Sequence, residues 1–443
     1  MLALSFIRRH AAAVRAAAAA KGRALDLDRL LACAAERRRL LAANAAIGEP
    51  GVAVGAPAGV PRAELRRVDE ELAALLAQVP NLPCPGVPLG DAPTGAAGVA
   101  DAAAASAAAA PATEVRRWGE PPAFPFTPRP HWELGAAVGV DEAAATRAAG
   151  AGFVLLRGRA ARLERALTAL ALDTFTARGW VEVSPPLLAR ADALFASAHL
   201  PAYAAGMYEA GEAGEADEAG EADATSVAGH GLYLAPSPEA ALLALARGPA
   251  IPAATLPLRY VACVPCFHAA AGAAGRRGRG LLRPHQFQAV HAIAVTAPSA
   301  AGAAFDELVR AAEEVLRRLE LPYRVVVRPA GRLSVAAAFT WALEAWFPAD
   351  AAYREVAACT GYGPFLARRA GIRFRPRPGR RTQLAHVVGS AGPLIGRLLA
   401  ALLENGQRQD GSATLPRSLE AYCSGGCDAA SAGRRVGGYD IER

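Results

Sequence analysis

The sequence predicts an α+β fold in which helices flank an antiparallel sheet and a short antiparallel helical hairpin precedes that sheet. Near the start, two amphipathic segments are joined by a Gly/Pro-rich turn, which is typical of an antiparallel helical hairpin. From about residue 113, short strand-like runs alternate with helical segments without a regular βαβ period, and this favours an antiparallel sheet. With 443 residues the chain is long enough for two or three domains.

The helical hairpin comes first along the chain. Residues 1–22 are predicted to form one helix that ends at Gly22. Residues 26–46 carry leucines at helical spacing beside a charged face, and residues 62–79 repeat that pattern. Each arm of roughly 20 residues reaches about 30 Å at 1.5 Å per residue. We assign residues 1–90 to this N-terminal arm.

A linker and a sheet-containing domain follow. Residues 91–112 are an Ala/Gly-rich linker, residues 113–425 are the domain, and residues 426–443 are a Gly-rich tail. The acidic tract 209–229 is predicted to be a surface insertion, because it is charged and almost free of bulky side chains. Strands are expected within "GFVLLRG", "WVEVSPPLL", "GLYLAPS", "LRYVACVPCF", "FQAVHAIAV" and "YRVVVR".

Charge and cysteine content limit the function classes. The formal net charge is +7, which favours phosphate-rich partners such as RNA, although a basic surface can also serve solubility alone. Seven cysteines without a regular framework argue for a reducing compartment and against secretion. The single CxxC, Cys263 and Cys266, has no second pair at zinc-finger spacing, so no zinc is expected. No apolar run is long enough to span a bilayer, so no membrane partner is expected.

The compartment stays open between the mitochondrial matrix and the cytoplasm. The first 25 residues carry five basic residues and no acidic one, a pattern typical of a mitochondrial targeting segment. The alternative is that the same residues form the first helix of the folded protein.

The order of several motifs resembles that of seryl-tRNA synthetases, which are class II aminoacyl-tRNA synthetases. The resemblance runs from residue 1 to about residue 420 and rests on "PNLPCPGVPLG", "EVRRWGEPP", "RPHWELG", "WVEVSPPLL", "LPLRYVACVPCF", "RGRGLLRPHQF", "YREVAAC" and "GPLIGRLLAALLEN". It implies the class II sheet of six to seven antiparallel strands, and a homodimer or a heterodimer with an active synthetase. It also implies a hairpin that contacts tRNA, here about half the usual length.

The resemblance also implies where ATP and Mg²⁺ would bind. The second class II signature, Phe-Arg-x-Glu, is "FHAA" here, with His268 and Ala270 at the arginine and glutamate positions. A histidine lacks the permanent charge and the planar fork with which arginine binds phosphate. The remaining ATP-binding candidates are Arg276, Arg279, the adenine-stacking Phe287, the Mg²⁺–ATP carboxylate Glu355 and Arg397 of the third signature.

The amino-acid pocket implied by the resemblance is changed as well. The candidates are Ser237 and Glu239, from the family's Thr-x-Glu, and His291, which replaces a glutamate. Gly361, Gly389 and Ala391 replace an asparagine, a second asparagine and a serine. A pocket that selects a hydroxyl group does so with buried polar partners, and alanine and glycine offer none.

Three functional hypotheses follow. The first is a seryl-tRNA synthetase-like protein that is impaired in serine activation, has no assigned catalytic residue, and acts by binding tRNA or other RNA or as a dimer partner. The second is an active serine–tRNA ligase that uses ATP and Mg²⁺. The third is a ligase repurposed for another amino acid or for a carrier protein.

Overall fold

The computed structural model describes residues 1–47, 62–89, 112–212, 231–269 and 279–423. The α-helices of these residues are α1 (Leu4–Arg9), α2 (Ala11–Ala20), α3 (Leu27–Ile47), α4 (Arg62–Gln78), α5 (His131–Val138), α6 (Glu142–Ala149), α7 (Arg159–Thr176), α8 (Ala191–Ala196), α9 (Glu239–Ala244), α10 (Ala301–Arg318), α11 (Phe365–Ala370), α12 (Ile395–Asn405) and α13 (Glu420–Cys423).

Strands of the same residues form one large sheet and three small ones. They are β1 (Thr113–Trp118), β2 (Val140–Asp141), β3 (Leu155–Leu156), β4 (Val181–Glu182), β5 (Leu188–Arg190), β6 (Glu209–Glu212), β7 (Gly231–Leu234), β8 (Ile251–Pro252), β9 (Leu258–Phe267), β10 (Gln286–Thr296), β11 (Tyr323–Val327), β12 (Phe339–Phe347), β13 (Ala352–Gly363), β14 (Arg373–Arg375), β15 (Gln383–Leu384) and β16 (His386–Leu394).

The large sheet has the order β1-β11-β12-β13-β16-β10-β9-β4. All neighbouring strands are antiparallel except β4 and β9, which are parallel. The predicted α+β fold with an antiparallel-dominated sheet is therefore confirmed. The sheet has eight strands rather than six to seven, because β1 and the two-residue β4 extend its two edges.

The predicted strands differ in how closely they match. Strand β9 coincides with "LRYVACVPCF", and β10 extends "FQAVHAIAV" by one residue at each end. In contrast, "GFVLLRG" forms only the two-residue β3. The glycines at both ends of that segment, Gly152 and Gly158, have φ angles of +85° and +55°, so the chain turns where a longer strand would have to continue.

The N-terminal arm contains two helices where the sequence predicted one. The helix breaks at His10, whose φ of −124° and ψ of +37° are not helical, and the second helix ends before Gly22 at φ +62°. Helices α3 and α4 pack together as the predicted hairpin around Leu30, Leu40, Val68 and Leu72. The assignment of residues 1–90 to a separate arm stays a prediction.

Strand alternation determines which side of the large sheet carries helices. Along β10, Val290, Ala292 and Ala294 point into a core shared with α7, α10 and α12, whereas Phe287 and His291 face the opposite side and line a cavity there. This is the period-two alternation of a strand. The cavity thus lies across the sheet from the main helical layer.

The linker, most of the acidic insertion and the tail fall largely outside the described residues, at 90–111, 213–230 and 424–443. The beginning of the insertion, Glu209–Glu212, forms β6 and pairs with β7. In the part of the chain that the structure describes, no helix has the length and apolar character needed to cross a membrane.

Candidate active site

One cavity collects most of the candidate residues. Its volume is about 160 Å³, and its floor is formed by β10, β12, β13 and β16. Loops around residues 197–207, 236–239, 281–284 and 334–336 form its walls, and the beginning of α12 closes one end. The candidates that line it are Ser237, Glu239, His268, Phe287, His291, Glu355 and Arg397.

His268 and Phe287 lie together on one wall. Their rings meet edge to face with centroids 5.1 Å apart. The His268 Nε2 atom lies 3.0 Å from the Pro236 carbonyl oxygen, and because a carbonyl can only accept, Nε2 is the protonated nitrogen and donates. The same nitrogen cannot donate to a phosphate without giving up that bond.

Arg397 is fixed by two backbone carbonyls. Its Nε donates to Leu282 O at 2.9 Å and its Nη1 donates to Glu355 O at 2.8 Å. These bonds orient the guanidinium at the cavity wall and leave Nη2 as the group that can donate to a ligand. Arginine in such a fixed geometry is well suited to binding phosphate.

The Glu355 carboxylate is bound by Arg328. The Arg328 Nε donates to Glu355 Oε2 at 3.1 Å, and Nη2 donates to the same oxygen. The two side chains are only 13% and 16% exposed, so solvent screens this pair weakly. Sequence reasoning missed Arg328, because it lies 27 residues before Glu355 in the sequence and no local motif marks it.

Two candidate arginines lie elsewhere. The Arg279 guanidinium lies over the Trp132 ring, 5.5 Å from its centroid, and Arg279 is not among the residues that line the cavity. Arg276 and Ala270 fall outside the described residues. Arg283, a further arginine of the same basic loop that the sequence offers for binding ATP, does line the cavity.

Ser237 belongs to a small hydrogen-bonded group at the other end of the cavity. Its hydroxyl accepts from the Glu239 amide at 3.2 Å and lies 3.5 Å from His199 Nε2. The other ring nitrogen of His199 is 2.8 Å from the Ser197 hydroxyl. Burial lowers the pKa of His199 to about 4, so this group is neutral at physiological pH.

Glu239 has a partner in the chain itself. Burial raises the pKa of its carboxyl to about 7, and the Tyr362 hydroxyl forms a hydrogen bond with it. Near neutral pH the carboxyl is therefore only partly ionised. A carboxylate that is meant to bind an ammonium group needs its charge, so Glu239 is weakened in that role.

His291 adds no charge at this end. It is buried on β10, and burial lowers its pKa to about 3. Where the family resemblance implies a glutamate, the chain therefore has a neutral ring. Sequence analysis could identify the substitution, but the neutrality follows from burial that only the fold provides.

Aromatic side chains fill the space next to the glycine positions. A Cβ atom at Gly361 would lie 2.3 Å from Phe339 Cε1, and one at Gly389 would lie 3.4 Å from Tyr362 Cε2. Phe339 excludes any larger side chain at residue 361 without rearrangement. Of these residues, Tyr362 lines the cavity, whereas Phe339 packs against Phe305 of α10 on the helical side of the sheet.

The side chains present fit a nucleotide better than they fit Mg²⁺. Phe287 and Arg397 present a ring and a guanidinium group to the cavity, as a nucleotide would require. Mg²⁺ binds through one or two carboxylates together with substrate phosphates, but of the two carboxyl groups that line the cavity, Glu355 is bound by Arg328 and Glu239 by the Tyr362 hydroxyl. Among the described residues, no group of three or more His, Cys, Asp or Glu could hold a metal ion.

Comparison with protein families and curated proteins agrees with this architecture. Residues 225–406 match the tRNA synthetase class II core domain (G, H, P, S and T). The chain is 40% identical to a serine–tRNA ligase of Desulforudis audaxviator, over 96% of this chain and 98% of that protein. It is 42% identical to a serine–tRNA ligase of Moorella thermoacetica, over 70% of this chain and 69% of that protein.

Solved structures agree as well. The seryl-tRNA synthetase of Pyrococcus horikoshii complexed with ATP superposes with a TM-score of 0.79 and 26% identity, covering 96% of this chain and 98% of that one. The cytoplasmic serine–tRNA ligase of Naegleria fowleri in complex with AMP has a TM-score of 0.73 at 22% identity, covering 94% of each chain. At that identity the second match supports the fold alone.

Proposed function

Since this chain belongs to the serine–tRNA ligase family of class II tRNA synthetases, we propose that it is a tRNA-binding member impaired in serine activation. Its N-terminal arm, residues 1–90, contacts the tRNA, and residues 113–425 form a synthetase-like domain. We include in this proposal that the protein forms a homodimer or a heterodimer with an active synthetase.

One observation carries the proposal: three groups that line the cavity, those of His268, Glu355 and Glu239, are each bound to another group of the chain. His268 donates to a backbone carbonyl, Arg328 binds Glu355, and the Tyr362 hydroxyl is bonded to Glu239. Serine activation depends on holding the triphosphate and the ammonium group by charge. A site in which these three groups are already bound within the chain holds both ligand groups less tightly.

The arm retains features that suit RNA. The hairpin exposes arginines on both of its helices: Arg38, Arg39, Arg66 and Arg67. Exposed arginines contact phosphates and make binding depend on salt. A hairpin of helices with 21 and 17 residues spans about 30 Å at 1.5 Å per residue, enough to follow an RNA helix over several base pairs.

Two measurements test the proposal. Serine-dependent exchange of pyrophosphate into ATP should stay at least about a hundredfold below that of an active relative, as expected when a clamp on the reacting phosphate is missing. Binding of a serine tRNA, measured by filter retention at two salt concentrations, should be readily detected and should weaken with salt. Exchange at the rate of an active relative would refute impairment, and no tRNA binding would refute the binding role.

An active serine–tRNA ligase is the second candidate. The observation that favours it is that Ser237, Glu239, Phe287 and Arg397 line the same cavity in a chain 40% identical to a serine–tRNA ligase. This candidate requires that the protein charge tRNA and that Arg397→Ala abolish charging. Equal charging by Arg397→Ala and the wild type would contradict it.

A further inference from the structure

The β14–β15 hairpin carries a dense group of arginines. Five of the nine residues from Arg373 to Arg381 are arginines, and all five are exposed. No acidic residue occurs between Glu355 and Glu404, so the neighbouring sequence supplies no counter-charge. The hairpin therefore concentrates positive charge at one point of the surface.

These charges differ from most other surface arginines in having no carboxylate partner. Exposed arginines elsewhere form ion pairs within the chain: Arg29 with Glu71, Arg39 with Glu36, and Arg117 with Glu114. In the part of the chain that the structure describes, none of the five hairpin arginines forms an ion pair. Their charge is available to a partner.

Strand geometry and local hydrogen bonds hold the hairpin in one shape. Phe374 of β14 is buried, whereas Arg373 and Arg375 on either side of it point to solvent. The Arg373 Nε donates to Thr382 Oγ1 and the Arg375 Nη1 donates to Arg380 O, both at 2.8 Å. Because these side chains are positioned before any ligand arrives, binding costs less conformational entropy.

The arginines at the base of the hairpin repel one another. Burial lowers the pKa of Arg368, and the nearby Arg373 guanidinium lowers it further. Salt screens such repulsion only beyond the Debye length of about 8 Å. A polyanion that contacts several of these groups relieves the repulsion and gains entropy by releasing its own counterions.

The hairpin lies on the side of the large sheet that carries the cavity. Phe374 belongs to the same buried cluster as Ile293 and Val295 of β10, and strand alternation places these two on the side of His291. From the hairpin, β16 runs into the cavity floor at Ala391. A long ligand bound at the hairpin can therefore extend along this side of the protein toward the cavity.

The composition of the hairpin tip favours one kind of polyanion. Binding to a membrane surface uses inserted apolar side chains as well as charge, but the tip, "RPGRRT" at residues 377–382, has no aromatic or branched aliphatic side chain. The phosphodiester backbone of RNA requires only positive charge and hydrogen-bond donors. Helical RNA is therefore the partner that fits the hairpin.

Resting on the proposed tRNA-binding role, we propose that the β14–β15 hairpin is a second RNA-contacting surface, separate from the N-terminal arm. Arg377, Arg380 and Arg381 at the turn contact phosphates, and the strand arginines Arg373 and Arg375 add positive charge beside them. No base edge is read, so the surface binds helical RNA of any sequence.

Fluorescence anisotropy with the full chain over a series of salt concentrations tests this proposal. The two probes are a serine tRNA and a short plain RNA duplex. The variant Arg377→Gln/Arg380→Gln/Arg381→Gln should bind both about tenfold or more weakly, and the slope of log affinity against log salt concentration should become shallower by about 2–3. Unchanged affinity and slope would overturn the proposal.

The matched control removes the same charge from three separate places. Arg147, Arg310 and Arg417 are exposed and lie outside the hairpin, so Arg147→Gln/Arg310→Gln/Arg417→Gln should bind RNA nearly as the wild type does. A loss equal to that of the hairpin variant would assign the effect to net charge and overturn the proposal.

A conservative variant separates charge from shape. The side chains of Arg377, Arg380 and Arg381 form no hydrogen bond within the described ranges, so both the glutamine and the lysine triple variants should melt as the wild type does. The lysine variant keeps the charge and should retain most of the RNA affinity. A lysine variant that loses as much affinity as the glutamine variant would contradict contact with the phosphate backbone.

The two probes also separate this inference from the proposed function. Binding of tRNA that does not depend on the hairpin overturns the inference and leaves the tRNA-binding role intact. Hairpin-dependent binding of the duplex without binding of tRNA does the reverse, and no binding of either probe overturns both. Tighter hairpin-dependent binding to phosphatidylserine vesicles than to either RNA would assign the surface to membranes and overturn the inference.

Discussion

Restoring an arginine at residue 268 should strengthen the binding of ATP. In the wild type, His268 Nε2 donates a hydrogen bond to the Pro236 carbonyl oxygen at 3.0 Å, and the ring packs edge to face against Phe287. An arginine is longer, carries a permanent charge and presents several donors, so it can reach past that carbonyl into the cavity. One hydrogen bond to a charged group contributes about 1.5–3 kcal/mol, which corresponds to an affinity gain of roughly 10- to 100-fold.

Calorimetry with ATP gives the readout, with His10→Arg as the control. His10 is exposed between α1 and α2 and does not line the cavity, so this variant adds the same charge outside the cavity wall. His268→Arg should bind ATP more tightly and His10→Arg should not. If both folded variants bind ATP as the wild type does, the missing clamp is not what limits nucleotide binding, and the reasoning fails.

Three further predictions concern the architecture around the cavity. Gly361→Asn should lower the free energy of unfolding by about 1–3 kcal/mol, because its Cβ would lie 2.3 Å from Phe339 Cε1. Chemical denaturation should show that the double variant Gly361→Asn/Phe339→Ala recovers part of this loss. A single variant as stable as the wild type would contradict the clash. The folded pKa of the Glu239 carboxyl is raised to about 7. Its contribution to the free energy of unfolding is therefore greatest below the unfolded pKa of 4.5 and is lost as the pH rises to 7, by up to about 3 kcal/mol. Glu239→Gln should flatten that part of the stability–pH curve, and parallel curves for the variant and the wild type would disprove this. The Glu404 carboxylate accepts hydrogen bonds from the amide and ring of His131 and from the Ala349 amide. Glu404→Ala should therefore lower the free energy of unfolding by about 3 kcal/mol or more and the melting temperature well below that of Glu404→Gln. Equal melting temperatures for the two variants would argue against these bonds.

The link between the arm and the cavity shows how the fold joins distant segments. The Lys21 ammonium donates to the carbonyls of Ser334 and Ala337 at 3.0 and 2.6 Å, and the Asn81 side chain donates to Ala336 O at 2.9 Å. The loop that receives these bonds forms one wall of the cavity. The base of the arm therefore supports the site, although nothing in the spacing of these residues indicates it.

Local patterns were enough to locate several of the helices and strands, although the break at His10 and the short β3 were not among them. The apolar runs of β9 and β10 gave strands with bounds within one residue of those observed, and leucine spacing gave α3 and α4. These features follow from periodicity, which is written in neighbouring residues. The resemblance of motifs also predicted Phe287, Glu355 and Arg397 as ATP-binding candidates. All three line one cavity.

Tertiary structure alone decided the chemical state of the cavity. Arg328 meets Glu355 because β11, β12 and β13 are antiparallel neighbours, and Tyr362 reaches Glu239 because their segments converge on the same pocket. Such contacts depend on strand register and burial, which join residues far apart in the chain. The sequence by itself determined which groups the site contains, and the fold determined which of them remain available, because pairing and desolvation control their charge.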